Sequence, residues 1–235
     1  MDAVEERLWW YRALHARLLD ALADAGPAGR GRLLDAGCGT GGLLARLRAR
    51  PASGPVVGLD AFGPAAARAR SKSGAPVVVA SIDALPFQDA AFDAIVSADV
   101  LCHRSVDPAR ALDEARRCLS PGGVLVLNLP AFRWLASYHD RQVHSARRFD
   151  RTEVRALLRD AGFEQVDVQH WNSLLFPVMA ARRLMSRGEP GHSDVFLPAG
   201  WINGLLAAVV SIERTLGRLG LRWPVGGSIL AVARR

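Results

Sequence analysis

Two acidic residues flank a run of glycines, and this arrangement suggests a site for a small ligand. Asp35 lies just before Gly37-Cys38-Gly39-Thr40-Gly41-Gly42, and Asp60 ends the next apolar run. Glycines allow a tight strand-to-helix turn and let a ligand approach bare backbone. The helix that follows presents unpaired N–H groups and the positive end of its dipole. Acids on both sides suit a ligand with a cation at one end and a ribose at the other.

The glycine spacing by itself fits two kinds of ligand. Gly37, Gly39 and Gly42 also match the spacing of a dinucleotide fold, in which an acid follows about 20 residues later, as Asp60 does. Asp35 favours the other interpretation, because a carboxylate at the mouth of the turn repels a pyrophosphate and attracts an ammonium or sulfonium group. A nicotinamide dinucleotide therefore remains the alternative.

Alternating strands and helices position this turn. Apolar runs and turn residues predict a βαβ rhythm, hence a parallel sheet with helices on both faces. A turn is predicted at 120–123, and Asp150 with Glu153 fits a helix-capping box. The predicted strands are 32–36, 55–60, 77–80, 92–97, 124–128, 163–171 and 228–233, and the predicted helices are 2–24, 42–50, 64–71, 108–119, 150–161, 174–186 and 198–219.

Four motifs in this order resemble those of class I S-adenosylmethionine (SAM)-dependent methyltransferases, in particular bacterial small-molecule enzymes of the methyltransferase-11/25 type. They are LDAGCGTG at 34–41, LPF at 85–87, FDAIVSADVL at 92–101 and LSPGG at 119–123. The resemblance implies an α/β, Rossmann-like fold with a seven-stranded, mostly parallel sheet. It also implies that the last strand is antiparallel and lies between strands five and six.

The resemblance implies SAM as the cofactor, with S-adenosylhomocysteine as its product. Gly37, Gly39 and Gly41 would wrap the methionine end, and Asp35 would lie near its ammonium group. Asp60 would accept hydrogen bonds from the ribose hydroxyls, because a carboxylate can accept from both. Cys38, Ala61 and Ala98 complete this set, with Cys38 expected to be a small buried residue rather than a reactive thiol.

The adenine position departs from the family pattern. Many relatives carry an aspartate five residues before the proline of the LPF motif, where this chain has Ser81. Either Ser81 contacts adenine together with the backbone at Ile82, or Asp83 replaces the missing acid. We favour the first alternative and leave the second open.

Three places could bind the methyl acceptor: the first helix, the irregular segment 134–149, and His103 just beyond the fourth strand. Trp9 and Trp10 of the first helix could form a lid or could pack in the core. The irregular segment 134–149 offers histidines as general bases and arginines that could hold an anion, or these residues simply cap the loop. The candidate catalytic residues are His139, His144 and His103, and the candidate acceptor-binding residues are Trp10, Tyr11, Tyr138, Arg147 and Arg148. We expect no metal, because the spacing of His139, Asp140 and His144 fits no standard ligand set.

An insertion at 172–224 is long for a connection between the last two strands. Its apolar residues, which include Phe176, Trp201, Leu205 and Ile212, are expected to be buried against something. A cap over an apolar substrate is preferred, and a dimer interface or a membrane contact are the alternatives. The predicted organisation is an N-terminal helix at 1–26, a SAM-binding core at 27–171 and 225–235, and this helical insertion.

The net charge, the cysteines and the apolar runs indicate which classes of partner and which compartment to expect. The net charge is +7, but the arginines are scattered and lack interleaved aromatic residues, so we expect no nucleic acid. Three separated cysteines favour a reducing cytoplasm, and the apolar run at 204–212 is too short to span a bilayer. The predicted function is methyl transfer to a small molecule by a monomer or homodimer. The alternative is a SAM-binding cyclase, isomerase or regulatory subunit.

Overall fold

A seven-stranded sheet forms the centre of the computed structural model, which describes residues 7–51, 54–135, 147–185 and 199–235. The strand order is β3-β2-β1-β4-β5-β7-β6, and β7 alone runs antiparallel to its neighbours. The strands are β1 (Leu33–Ala36), β2 (Val56–Asp60), β3 (Val77–Val79), β4 (Phe92–Ala98), β5 (Leu119–Pro130), β6 (Glu164–Trp171) and β7 (Ser228–Arg234). The predicted position and direction of the last strand are therefore confirmed.

Helices cover both faces of this sheet. They are α1 (Trp9–Asp24), α2 (Gly42–Arg48), α3 (Gly63–Ser73), α4 (Pro108–Cys118), α5 (Arg151–Asp160), α6 (Phe176–Met185) and α7 (Gly200–Arg218). One hydrophobic cluster joins the sheet to α1, α2, α3 and α7, and includes Leu18, Leu44 and Val210. A second cluster joins it to α4 and α5, and includes Leu112 and Leu158.

Two helix starts follow the capping chemistry that the sequence indicates. The Asp107 carboxylate accepts a hydrogen bond from the Ala109 N–H at 3.0 Å, and Pro108 occupies the first position of α4. Asp150 and Glu153 form the predicted capping box at the start of α5. Both caps satisfy N–H groups that have no partner within the helix.

The turn predicted at 120–123 is a bulge within β5. Phe92 of β4 pairs with Leu119, and Ala94 pairs with Val124, so β5 has extra residues between the two pairs. Gly122 has a φ of +74°, which lets the backbone loop out and rejoin the ladder. The predicted turn between a helix and a strand was therefore wrong: these residues form a bulge inside β5, and strand pairing continues on both sides of it.

Three polar contacts hold α7 parallel to α1. They occur in the same order along both helices, so the two N-termini lie at the same end. They join the Trp9 N–H to Asn203 Oδ1 (3.0 Å), Arg17 Nη2 to Glu213 Oε1 (2.8 Å) and Arg214 Nη2 to Asp20 Oδ1 (2.6 Å).

Burial of the apolar residues in 172–224 is only partial. Trp201, Leu205 and Ile212 are 74%, 57% and 56% exposed, so the described part of the chain does not cover them, and whether a partner does stays a prediction. The reason for this exposure is that α7 turns its other side, with Val210 and Glu213, towards α1 and the segment that follows β6. Among the described helices, none has the length and apolar character needed to cross a membrane.

Candidate active site

The glycine turn between β1 and α2 is tied to the end of β2. Gly37, Gly39 and Gly41 have φ values of +88°, +53° and +88°, in the left-handed region that favours glycine. The N–H groups of Gly37 and Cys38 both donate to the Leu59 carbonyl, at 2.7 and 2.9 Å. The turn is therefore held in one conformation at the carboxyl edge of the sheet.

Asp60 connects this turn to the next one. Its Oδ2 accepts a hydrogen bond from the Gly39 N–H at 2.8 Å, and its Oδ1 accepts one from the Phe62 N–H at 2.9 Å. Each carboxylate oxygen can accept a further hydrogen bond. Because both oxygens are fixed by backbone groups, the carboxylate is held at the mouth of the turn, where a pair of hydroxyl groups could donate to it.

The hydrogen bonds of the turn discriminate between the two ligand classes. The N–H groups of Gly37, Cys38 and Gly39 bond to Leu59 and Asp60, and that of Gly41 bonds to the Cys38 carbonyl at 2.9 Å. These four donors are thus already used within the protein, whereas a dinucleotide site aims such donors at its pyrophosphate. Asp35, only 1% exposed, adds a buried acid to the end of β1. This donor set fits a cationic, ribose-bearing ligand such as SAM and does not fit a pyrophosphate.

Cys38 lies between these two acids. Its side chain is buried, and burial raises the pKa of the Cys38 thiol, with the negative charges of Asp35 and Asp60 raising it further. The thiol is therefore neutral at physiological pH and is a poor nucleophile. This environment agrees with a packing role.

The glycines of the turn have different surroundings, which leads to a testable contrast. A Cβ on Gly37 would collide with Cγ2 of Val100, whereas a Cβ on Gly39 would meet nothing within 4 Å. Both substitutions carry a backbone cost of about 1–2 kcal/mol. We expect Gly37→Ala to lose about 1–3 kcal/mol more of unfolding free energy through overpacking. Gly39→Ala should remain folded but bind SAM at least about tenfold more weakly, a change of about 1.4 kcal/mol.

Urea unfolding and titration calorimetry with SAM measure these two effects. The double variant Gly37→Ala/Val100→Ala should regain stability relative to Gly37→Ala, because the colliding methyl group is removed. Wild-type SAM affinity in Gly39→Ala would contradict the placement of the ligand against this backbone.

The two candidates for the adenine contact interact with each other. The Ser81 hydroxyl donates a hydrogen bond to the Asp83 carboxylate, and this bond lowers the pKa of Asp83. The Asp83 Oδ2 also accepts from the Asp107 N–H at 3.3 Å, at the start of α4. Asp83 is therefore tied to α4, and Ile82 between the two polar residues is buried.

A chain of polar side chains crosses the carboxyl ends of β4, β5 and β6. Asn128, which pairs with Ala98, donates from Nδ2 to Asp99 Oδ1 at 2.9 Å and accepts at Oδ1 from Trp171 Nε1 at 2.8 Å. Trp10 of α1 stacks on Trp171, with ring centroids 6.3 Å apart. Sequence reasoning missed this chain, although a buried asparagine in an otherwise apolar strand was a usable signal.

The predicted acceptor residues fall into three situations. Trp10 and Tyr11 are half-buried, and Trp10 packs against the hydrophobic cluster under α1. The His103 N–H donates to the Val100 carbonyl at 3.0 Å, which places His103 in the turn after β4. Tyr138, His139 and His144 lie outside the described residues.

Arg147 and Arg148 both contact backbone carbonyl groups. Arg147 Nη1 donates to the Val106 carbonyl at 2.7 Å, and Arg148 Nη1 donates to the Ala131 carbonyl at 3.1 Å. These bonds tie the end of the 134–149 segment to the chain just before α4 and just after β5. A guanidinium has five N–H donors, so each arginine can still contact an anion.

An aromatic cluster that sequence reasoning did not identify lies where β5 and β6 end. Phe132 stacks on His170 with ring centroids 5.1 Å apart, and it also lies 5.5 Å from Phe176 and 6.0 Å from Trp134. Burial lowers the pKa of His170, so its ring is neutral at physiological pH. Within the described ranges, no group of three or more His, Cys, Asp or Glu residues could hold a metal ion.

Comparison with known proteins agrees with this geometry. Residues 34–127 match a family model described as a methyltransferase domain. The [4+2]-cyclase SpnF, a solved structure, is 26% identical to this chain, with a TM-score of 0.58, and the match covers 93% of this chain and 80% of that one. Residues 34–127 therefore form a methyltransferase domain, and the motifs and sheet topology are those of the class I SAM-dependent methyltransferases, whose cofactor is SAM.

Curated relatives differ in what their names describe. An uncharacterised 37.1 kDa protein of a Streptomyces fradiae transposon is 34% identical over 83% of this chain and 63% of its own length. A malonyl-[acyl-carrier protein] O-methyltransferase of Geobacter sulfurreducens is 35% identical over 58% of this chain and 57% of its own length. A probable tRNA methyltransferase 9B of Bos taurus is 32% identical over 69% of this chain and 29% of its own length. The chain thus spans less than two thirds of each of these relatives.

Proposed function

We propose that this protein transfers the methyl group of SAM to a small-molecule acceptor. The main support for this proposal is the position of the Asp60 carboxylate. The Gly39 and Phe62 N–H groups hold it at the mouth of the glycine turn. SAM supplies an electrophilic methyl group on a sulfonium. The protein's own task is to orient donor and acceptor and to exclude water, which accounts for much of the rate of such a displacement.

The cofactor residues of this proposal have separate tasks. Asp60 accepts from the ribose hydroxyls, and Asp35 lies towards the ammonium group of the methionine end. Ser81 contacts adenine with the backbone at Ile82, and Asp83 orients Ser81 through their hydrogen bond. Lining residues are Gly37, Cys38, Gly39, Gly41, Ala61 and Ala98.

The acceptor side is built from aromatic and basic residues. Trp10, Tyr11 and Tyr138 bind the acceptor, Arg147 and Arg148 hold an anionic group on it, and one of His103, His139 and His144 is the general base. The half-exposed Trp134 and the rings beside it support an apolar or flat acceptor. One relative is named for methylation of malonyl-[acyl-carrier protein], which supports a small acyl acceptor. Another is named a probable tRNA methyltransferase, so RNA is the alternative acceptor that the experiment must include.

The proposal includes a cytoplasmic location and a monomer or homodimer. All three cysteines are buried thiols, which supports a reducing compartment. The proposed organisation keeps residues 1–26 as an N-terminal helix, 27–171 with 225–235 as the SAM-binding core, and 172–224 as a helical insertion.

One observation favours a second candidate function. The similarity to SpnF, which is titled a [4+2]-cyclase, extends over most of both chains. The second candidate is therefore a SAM-binding protein that catalyses a cyclisation or isomerisation, or that serves as a regulatory subunit, without methyl transfer.

Radiolabelled methyl transfer combined with SAM calorimetry tests the proposal. We expect SAM binding and label transfer to a small carboxylic, phenolic or amine acceptor from a panel, and no transfer to tRNA. Replacing the general base among His103, His139 and His144 with alanine should lower kcat by about 10²–10⁴-fold with little change in SAM affinity.

Three outcomes would contradict the proposal. Tight SAM binding without transfer to any acceptor favours the second candidate, and transfer to tRNA excludes the small-molecule acceptor. Binding of NADPH in place of SAM would restore the dinucleotide interpretation.

A further inference from the structure

One face of α7 is apolar and faces away from the protein. Its exposed apolar residues recur every three or four positions, so they form one continuous stripe along the helix. They are Trp201, Leu205, Ala208, Ile212, Leu216 and Leu219. The other exposed positions between Trp201 and Leu216 are Gly204, Ser211 and Thr215, so no charged side chain interrupts this outward face.

α7 lacks the charged outward face of an ordinary surface helix. Such a helix packs its apolar stripe on the core and turns charged residues to solvent. In α7 the inward side combines apolar residues such as Leu206 and Val210 with Asn203, Glu213 and Arg214, which bond to α1, and the outward face is apolar as well. A large exposed apolar face marks an interaction surface. Because α7 is already anchored to α1, this outward face is available to a partner.

The charges around α7 match an anionic partner. Two acids lie in the contact between α1 and α7, and each forms an ion pair with an arginine. Glu213 pairs with Arg17, and Asp20 pairs with Arg214, so neither leaves an unpaired negative charge there. Arg218 is exposed at the C-terminal end of the helix. The whole chain carries a net charge of +7. A second copy would bring the same positive charge to the contact, whereas an anionic lipid surface attracts it.

We propose that the outward face of α7 binds an anionic lipid surface, with the helix lying in the plane of that surface. The apolar stripe enters the interfacial region, and Trp201, 74% exposed at the first turn, lies at the headgroup level that tryptophan favours. The Glu213–Arg17 pair keeps the opposite side of α7 on the protein, so the helix lies on the bilayer and does not cross it. This surface is separate from the proposed methyl-transfer site.

Vesicle co-sedimentation tests the proposal on the full-length protein. We expect wild type to pellet with phosphatidylcholine vesicles that contain phosphatidylglycerol, much less with phosphatidylcholine alone, and less as salt is added. Ile212→Glu, and the uncharged double variant Leu205→Ser/Ile212→Ser, should each bind at least about tenfold more weakly. The matched control is Ala156→Glu, which adds the same charge to an exposed position of α5, on the other side of the sheet.

Circular dichroism and SAM affinity show whether the variants are folded, and these readouts keep the result independent of methyl-transfer activity. The proposal is overturned if wild type stays in the supernatant with both vesicle types, or if Ile212→Glu pellets like wild type. Light scattering that shows a dimer, separated into monomers by Ile212→Glu, would also overturn it and would identify a second copy as the partner.

Discussion

Replacing Glu213 with alanine is expected to lower the free energy of unfolding by about 3–5 kcal/mol, because it leaves a buried arginine without its counter-charge. The Glu213 carboxylate is fully buried and accepts four hydrogen bonds. One comes from Arg17 at 2.8 Å, and the others come from the N–H groups of Asn172, Ser173 and Leu174 at 2.7, 2.6 and 3.0 Å. The substitution would leave all four donors without this acceptor.

The effect should extend beyond one ion pair, since Glu213 joins α7 and α1 to the segment that follows β6. Arg17 also lies over the Trp171 ring, with its guanidinium carbon 5.0 Å from the ring centroid. We therefore expect Trp171 fluorescence to shift and protease sensitivity to rise in α7. Urea unfolding of Glu213→Ala, Arg17→Met and the double variant gives the coupling energy between the two side chains.

The matched control is the exposed ion pair between Arg222 and Asp167, which has the same charges and a similar distance of 2.8 Å. Arg222→Ala should cost about 1 kcal/mol or less, because solvent screens exposed pairs. If Glu213→Ala cost no more than Arg222→Ala, the buried cluster would not be what holds α7 in place.

Replacing Asp60 with alanine is expected to weaken SAM binding by at least about 100-fold, which corresponds to about 2.7 kcal/mol. Hydrogen bonds to a charged group contribute about 1.5–3 kcal/mol each, and the ribose offers two. The substitution also releases the Gly39 and Phe62 N–H groups, so the turn loses its attachment to β2. Asp60→Asn should fall between alanine and wild type, because it keeps one acceptor oxygen.

Titration calorimetry with SAM and with S-adenosylhomocysteine measures this effect. Asp113→Ala is the control, since Asp113 is an exposed acid on α4. It should change neither affinity. An Asp60→Ala protein that is folded and binds SAM as wild type does would remove Asp60 from the cofactor site and with it the main support for the proposed function.

Much of the fold could be predicted because its signals are local. The apolar runs that became β1, β2 and β4 were located to within one or two residues, and the caps at Asp107 and Asp150 act within their own first turn. Prediction was poorer at 119–123, where pairing with β4 turned an expected turn into a bulge of β5. Strand pairing depends on a partner that is distant in sequence, and a local pattern does not contain it.

In the candidate site, too, the residue types could be predicted from the sequence but the contacts between distant residues could not. The residue types at Asp35, Asp60 and the glycines indicated a ligand with a cation and a ribose. They could not show that Asp60 binds the Gly39 N–H, or that Ser81 and Asp83 bind each other. Whether the N–H groups of a turn are used internally depends on what packs beside it, and this decided against a pyrophosphate.

By itself, the sequence determined the order of elements and the chemistry of the glycine turn, because backbone conformation and side-chain type are properties of each segment. Only the tertiary structure decided which side of α7 is buried. A helical period reveals an apolar stripe but not its direction, and here Glu213, paired with Arg17 from 196 residues away, holds its own side of α7 against α1 and leaves the stripe outward.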